Sequence, residues 1–354
     1  MKRKKAPEPR GEGRPATLLD VAKRAKVSKS TASRALSTPG RINERTVAKV
    51  RRAVEELRYV SHGVARALST RRTRTIGAVI PTLENAIYAI SIHSMEQRLH
   101  KAGYMLLVAC HEFDLDVEVS AVEALVSRGV DAIALVGLAH HKKTTALLEQ
   151  ARVPYVLTWN YRSGNVPCVG FDNREAGFLV ADYLVRLGHR EFGVIAGITE
   201  GNDRAEARLA GIGDALTQAG LTLDYEYVVE RPYSIDGGRD GLSILLGKRP
   251  RPTAVLCGND ILAIGAMHEA RGRHVAVPGE LSITGFDDMP LAEVFDPPLT
   301  TVHFPMAEVG ANAATFLLAA LGVAGAEPER ELPVRLVVRG SAGRPDARVL
   351  RGAR

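Results

Sequence analysis

Lys29 and Arg34, set among Ser28, Ser30, Thr31 and Ser33, are the residues whose types and spacing most directly suggest chemistry. They lie in the run VSKSTASRAL, residues 27–36. Serine and threonine hydroxyls hydrogen-bond phosphate oxygens, and Lys and Arg donate to guanine edges in a DNA major groove. Ala32, Ala35 and Leu36 fall at the spacing that buries one face of a helix, which leaves the other face short, polar and basic. Taken alone, the run fits an ordinary solvated amphipathic helix equally well. Its flanks decide between the two.

A second set of polar residues follows strand-like runs. "GFDD" places Asp287 and Asp288 after one, and "CGND" does the same for Asn259 and Asp260. "RAEARLAGI" puts Arg204 and Arg208 four apart, on one face at a helix start. "TLENAIY" supplies Asn85 and Tyr88, "TWNY" supplies Trp159 and Asn160, and "RPYS" supplies Tyr233. Paired guanidinium groups suit an anion, and aromatic faces suit a ring. Each residue also has a plain structural role open to it. Asp260 or Asp288 can cap the next helix, Trp159 can be core, and Arg204 can pair with Glu200.

Around the basic run, Thr17 caps a first helix with Leu18, Val21, Ala22 and Ala25 on one face. A turn at Lys26–Val27 leads to a second helix capped by Ser28 and broken at Pro39–Gly40. Asn43 caps a third, with Val47, Val50, Val54 and Leu57 at helical spacing. Three short helices with a tight turn between the first two make a helix-turn-helix unit, whose second helix enters the major groove. Beyond residue 74 the pattern alternates. Strand-like runs are 76–80, 104–109, 132–136, 155–158, 192–196, 254–257 and 281–284. Helical patterns between them include 90–102, 116–128, 174–187, 204–219 and 261–271. Such βα alternation implies parallel sheets, with ligand bound in the crevice at the strand C-termini.

The charge is divided. Residues 1–75 hold 21 Lys+Arg against 6 Asp+Glu, a net of +15, and the rest carries −8 within a total of +7. A basic head on an acidic body is the footprint of nucleic-acid binding at one end. Residues 1–16 read as a disordered basic tail. The 354 residues show neither a membrane-spanning apolar run nor a secretory h-region. Three scattered cysteines, Cys110, Cys168 and Cys257, fit a reduced cytoplasmic chain without a zinc site. Walker A, HExxH and GxSxG patterns are absent. The pair His140–His141 reads as surface. No cofactor, metal or enzymatic activity is expected.

"TLLDVAKRAKVSKSTASRALS", "RINERTVAKVRRAVEELRYV" and "VARALSTRRTRTIGAVIP" resemble the head of the lactose/galactose repressor (LacI/GalR) family, and the resemblance extends over about residues 17–340. It implies an α/β fold class: an N-terminal helix-turn-helix three-helix head and a periplasmic-binding-protein-like core of two Rossmann-like subdomains. The implied organisation is a head at 17–62, a hinge helix and linker at 63–73, an effector-binding and dimerisation core at 74–340, and a flexible tail at 341–354. Crossovers between subdomains fall near Phe171, Thr301–Phe304 and Pro333. The implied DNA-contacting set is Leu18, Ser28, Lys29, Ser30, Thr31, Ser33, Arg34, Ser37, Arg41, Asn43 and Thr46, with Val64, Ala65 and Leu68 on the hinge. Leu68 occupies the position of the leucine that such proteins wedge into the minor groove, which kinks the duplex. The resemblance places Arg208, Asn259 and Asp287 at hydrogen-bonding positions and Tyr88, Trp159 and Tyr233 at wall positions of the effector site, and Asn85, Asn160 and Arg204 join the candidate set by their own location.

This sequence departs from the family pattern at several points. Ser61–His62 replaces the usual Pro-Asn, and Lys26 replaces a turn glycine. Trp159 stands where many relatives have an Asp that takes a sugar hydroxyl. "VGFDN" at 169–173 resembles members of the gluconate-repressor type. The expected function is a dimeric transcriptional regulator, most simply a repressor, of a carbohydrate or sugar-acid operon. It would bind a pseudo-palindromic operator in double-stranded DNA under control of a small effector, a sugar acid such as gluconate or a sugar. The competing reading is a small-molecule binding protein or enzyme on the same core, with a basic head of another purpose.

Overall fold

The computed structural model describes residues 14, 16–37, 39–59, 72–323, 325 and 327–346. Val64, Ala65 and Leu68 lie outside them, as does most of the basic tail. The chain divides into two compact units, Met1–Thr73 and Arg74–Arg354.

In the first unit, α1 (Leu18–Ala25) starts at a capping box in which Thr17 and Asp20 satisfy each other's backbone N–H. Lys26 ends it in the left-handed region at φ 55°, a conformation in which glycine costs less. The second helix, α2 (Lys29–Ser37), begins at Ser28, whose Oγ accepts the Thr31 N–H at 3.0 Å. A 3-10 turn at Pro39–Arg41 follows. Asn43 then caps α3 (Glu44–Glu56) by accepting the Arg45 N–H at 2.9 Å. Val21, Ala22, Ala32, Ala35, Val47 and Val50 meet in one small core.

The second unit contains α4 (Ala86–Lys101), α5 (Leu115–Ser127), α6 (Lys142–Ala151), α7 (Asn173–Leu187), α8 (Asp203–Gln218), α9 (Ile235–Gly247), α10 (Asp260–Gly272), α11 (Pro290–Val294) and α12 (Met306–Ala320). One parallel sheet comprises β1 (Thr75–Ile80), β2 (Met105–Cys110), β3 (Ala132–Val136), β4 (Tyr155–Thr158) and β5 (Cys168–Val169), in the order β2-β1-β3-β4-β5. The other comprises β6 (Phe192–Gly197), β7 (Val228–Arg231), β8 (Ala254–Cys257), β9 (Ser282–Asp287), β10 (Thr300–His303) and β11 (Arg335–Val337), in the order β11-β10-β9-β8-β6-β7. Among the described residues only the β10–β11 pair is antiparallel. This is the α/β class that the βα alternation predicts.

Although late in sequence, α12 packs on α4 and the first sheet, whereas α7 and α8 pack together on the second. The chain therefore passes between sheets at 170–172, at 304–305 and again before β11. A bridge between Gly170 and Glu331 ties two of these passages. Two close approaches set the α7–α8 packing. A Cβ on Gly177 would overlap the Arg208 carbonyl oxygen, and one on Gly211 would overlap that of Arg174.

The structure corrects two expectations. Residues 341–343 are not a flexible tail: Ser341 is fully buried and donates to the Ile283 carbonyl, and Gly343 receives His189 Nε2 at 2.9 Å. The pair 140–141 is not simply surface, because the His140 side chain is buried against Glu118 at 2.9 Å. The crossover expected near Thr301–Phe304 follows directly on β10, which occupies Thr300–His303 inside the second sheet.

Candidate functional site

Lys29, Ser30 and Arg34 are exposed on α2, together with the capping residue Ser28. Thr31 and Ser33 are half-buried, while Ala32 and Ala35 are in the core. Ser28 Oγ lies 2.9 Å from Ser30 Oγ and 2.8 Å from Thr31 Oγ1. The hydroxyls thus cluster at the helix N-terminus, where backbone N–H groups favour an anion. Arg34 extends from the next turn, its Nε 3.4 Å from the Ser30 carbonyl. Arg41 and Asn43 are exposed beyond α2, Thr46 and Leu18 are half-buried, and Ser37 closes α2.

In the second unit, the strand C-termini converge on a chamber between the two sheets. Asn85, Tyr88, Trp159, Arg204, Arg208, Tyr233, Asn259 and Asp287 line it, with Ile87, Asn173, Asn202 and Phe304. Its free volume is about 20 Å³, room for about one water. Phe171, Phe286 and Phe304 form an aromatic stack with centroid separations of 4.2 and 6.0 Å. Trp159, at φ 69°, turns its ring edge-to-face on Tyr88 at 5.1 Å.

Arg208 is held by neutral groups. Its Nη1 donates to Asn173 Oδ1 at 2.7 Å, and its Nη2 donates to the Tyr233 hydroxyl at 3.1 Å. The guanidinium also lies 5.5 Å from the Phe286 ring and 5.9 Å from Phe304. Among the described residues no carboxylate forms an ion pair with it. Asp287 ends β9 at φ 115° and is buried. Burial pushes its carboxyl well above the usual range; the nearby Asp260 adds to this and Arg208 opposes it. Burial likewise pushes Asp260 up to about 7 and the Tyr88 hydroxyl up to about 12. Three polar atoms in the chamber are buried without a partner: Arg208 Nε, Asn259 Nδ2 and Asp287 Oδ2. Leaving such groups unpaired costs about 1–3 kcal/mol each. A ligand that accepts from the first two and bonds the third would recover that cost.

The remaining predicted residues divide between ligand-facing and architectural positions. Asn85 caps α4 and Asn259 caps α10 through their Oδ1 atoms. Neither Asp260 nor Asp288 caps a helix. Asp260 accepts the Thr301 hydroxyl at 2.6 Å and the Met289 N–H at 2.8 Å, fixing the turn that carries Asp287. Asp288 pairs with Arg339 at 2.6 Å and His303 at 2.9 Å. Asn160 does not line the chamber; its amide donates to Asp203 Oδ2 at 2.7 Å.

Asp203 and Asn173 escape a reading by sequence. Asp203 Oδ2 also accepts the Leu138 N–H at 3.0 Å, and Asp203 Oδ1 pairs with Arg204 at 3.0 Å. A residue opening α8 on the second sheet thereby ties down the ends of β3 and β4 on the first. The charge of Arg204 is matched by Asp203, not by Glu200. The signal available for Asp203 was only a polar run, "GND", ahead of a helix.

A three-helix DNA-facing unit joined to a two-sheet core with a polar chamber at its strand ends defines a ligand-responsive DNA-binding regulator. Residues 17–62 match the profile described as bacterial regulatory proteins, lacI family, and residues 181–342 match the periplasmic binding protein-like domain. The chain is 33% identical over 306 residues to the HTH-type transcriptional repressor PurR of Pectobacterium atrosepticum, covering 86% of this chain and 89% of that protein. It is also similar to the crystal structure of transcription regulator GntR from Chromobacterium violaceum, at 32% identity and TM-score 0.71 over 76% of this chain and 99% of that one. The lac repressor dimer bound to operator and the anti-inducer ONPF superposes at TM-score 0.81 and 26% identity, over 93% of this chain and all of that one. The chain belongs to the lacI family of transcriptional regulators. It is a DNA-binding repressor with an effector-binding core, not an enzyme. Among the described residues no helix is long and apolar enough to cross a membrane.

Proposed function

We propose that this repressor acts in the cytoplasm as a homodimer, reads a pseudo-palindromic operator of a sugar-acid utilisation operon, and responds to a gluconate-like acid. In this reading Lys29, Ser30 and Arg34 face bases, Ser28, Thr31 and Asn43 face phosphates, and 63–73 supplies a minor-groove hinge carrying Leu68. Operator half-sites one helical turn apart match a two-fold protein. The lac repressor, solved as a dimer on its operator, supports that assembly.

The observation that carries the ligand assignment is that Arg208 is bonded to Asn173 and Tyr233 and, among the described residues, to no carboxylate. Arg208 is held only by neutral partners, while burial favours the protonated, neutral form of Asp287. Arg204 is already matched by Asp203. The chamber therefore holds one cation in excess, which a carboxylate ligand would neutralise. Asp287 and Asn259 then serve the hydroxyls at the other end. Calorimetry with gluconate and glucose tests this. Gluconate should bind more tightly, and Arg208→Ala should abolish that binding. Tighter binding of glucose, or an undiminished Arg208→Ala protein, would overturn the reading.

A further inference from the structure

A second cavity, about 690 Å³, lies against the chamber and shares Asn202 and Tyr233 with it. That volume is within the range of ligand pockets, roughly 300–1,000 Å³. Its two lips come from the two subdomains: residues 112–116 and His141 from the first, residues 198–202 with Pro232 and Tyr233 from the second. Phe113 and Tyr233 stand across it with ring centroids 6.1 Å apart and planes inclined by 42°. Phe113 is 37% exposed and Ile198 48% exposed, although each is a large apolar side chain. Glu112, Asp114, Asp116 and Glu200 rim these apolar surfaces, and among the described residues none of the four forms an ion pair.

The partition between the two spaces is the Tyr233 side chain. Its hydroxyl reaches into the chamber, bonded to Arg208 Nη2 at 3.1 Å and Asn202 Nδ2 at 3.4 Å. Its ring forms part of the outer wall beside Phe113. A molecule whose acidic end occupies the chamber therefore meets, one residue further out, an aromatic platform rimmed by hydrogen-bond acceptors. Carboxylates accept from hydroxyl groups. Aromatic faces attract the partly positive C–H face of a pyranose by the electrostatics that make them bind cations. An exposed aromatic beside carboxylates that no cation neutralises among the described residues thus suits a second sugar ring. It does not suit a second carboxylate, which the four acidic groups would repel.

Resting on the sugar-acid reading above, we propose that the effector is an aldobionic acid, bound once the two subdomains part enough to enlarge the chamber and swing Tyr233 aside: a gluconate-type unit held at Arg208, joined to a glycosyl unit seated on Phe113 and Tyr233 in the outer cavity. The acid specifies the inner end and the glycosyl unit spans both lips.

The test is calorimetry on the full chain with gluconate, glucose, cellobionate, lactobionate, maltobionate and cellobiose. At least one of the three disaccharide acids should bind tenfold or more tighter than gluconate. Phe113→Ala, a change at an exposed side chain, should remove that advantage and leave gluconate affinity unaltered. The inference is overturned if gluconate binds at least as tightly as all three disaccharide acids, if Phe113→Ala weakens gluconate and the disaccharide acid alike, or if none of the compounds binds. Tight binding of cellobiose with no binding of any acid would instead sink the sugar-acid reading. The outer site would then stand or fall on whether Phe113→Ala weakens cellobiose relative to glucose.

Discussion

Arg34 and Asp287 carry the sharpest expectations among single residues. Arg34 is exposed one turn beyond the hydroxyl cluster of α2, and in the proposed docking its guanidinium is assigned to base edges and Ser28 and Thr31 to phosphates. Arg34→Ala should cost about 1–3 kcal/mol and relax specificity at one base position. Operator selection in vitro checks this, and undiminished stringency would refute the assignment. Asp287 gives a pH dependence. Its carboxyl is raised in the folded protein, chiefly by burial and then by Asp260. A raised carboxyl contributes stability that is complete below the unfolded value near 3.8 and is lost as pH rises through the folded value. Asp260, pushed up to about 7, adds with the same sign. The core should therefore melt at lower temperature as pH is raised through neutrality. Affinity for an acid should fall as pH rises through the raised folded value of Asp287, whose carboxyl then ionises in the same chamber. Asp287→Asn should flatten the affinity profile measured by calorimetry; a wild-type slope in that variant would place the titration elsewhere.

At the scale of elements, the α7–α8 contact positions Arg208. Gly211→Ala would drive a methyl group into the Arg174 carbonyl, and overpacking of this kind costs about 1–3 kcal/mol. Gly213, one residue pair away on the same helix, has nothing within 4 Å of a built Cβ. Gly213→Ala should stabilise by up to about 1 kcal/mol through helix propensity alone. Opposite shifts in melting temperature for the two variants would establish that packing, not composition, fixes these glycines. The same contrast explains what was legible in the sequence. Thr17, Ser28 and Asn43 announced three helices because a cap and its first turn lie within three residues. The βα alternation announced the sheets for the same local reason. By contrast α9, with Gly237, Gly238 and Gly241, reads poorly as a helix, although these glycines pack closely on Pro232, Leu262 and Ile195 respectively. The polar residues after each strand pointed to the chamber because the topology sends strand ends there. The ties of Asp203 to Leu138 and Asn160 span more than 40 residues, and no local pattern encodes such a pairing.

At the scale of the whole molecule, effector and operator must influence each other equally, because linkage is reciprocal. If the effector weakens operator binding by some factor, operator DNA should weaken effector binding by that factor. Fluorescence titrations of each ligand with the other saturating check this, and unequal factors would exclude a simple two-ligand cycle. An effector that binds only the folded core should also raise its melting temperature in proportion to the logarithm of its concentration.

The tie from Asp203 to the first sheet holds the two sheets together around a chamber of only about 20 Å³. Entry must therefore wait for the protein to open on its own, and the apparent affinity is reduced by the fraction of time spent open. In stopped-flow mixing, the observed association rate should rise with effector concentration and then level off at the opening frequency. Asp203→Ala removes the acceptor of both cross-sheet bonds, so its plateau should be higher and its response faster. A rate that climbs linearly without limit in the wild-type protein would show that Asp203 sets no gate. For a regulator, that frequency is a clock: a brief pulse of effector, shorter than the waiting time between openings, would pass without changing operator occupancy.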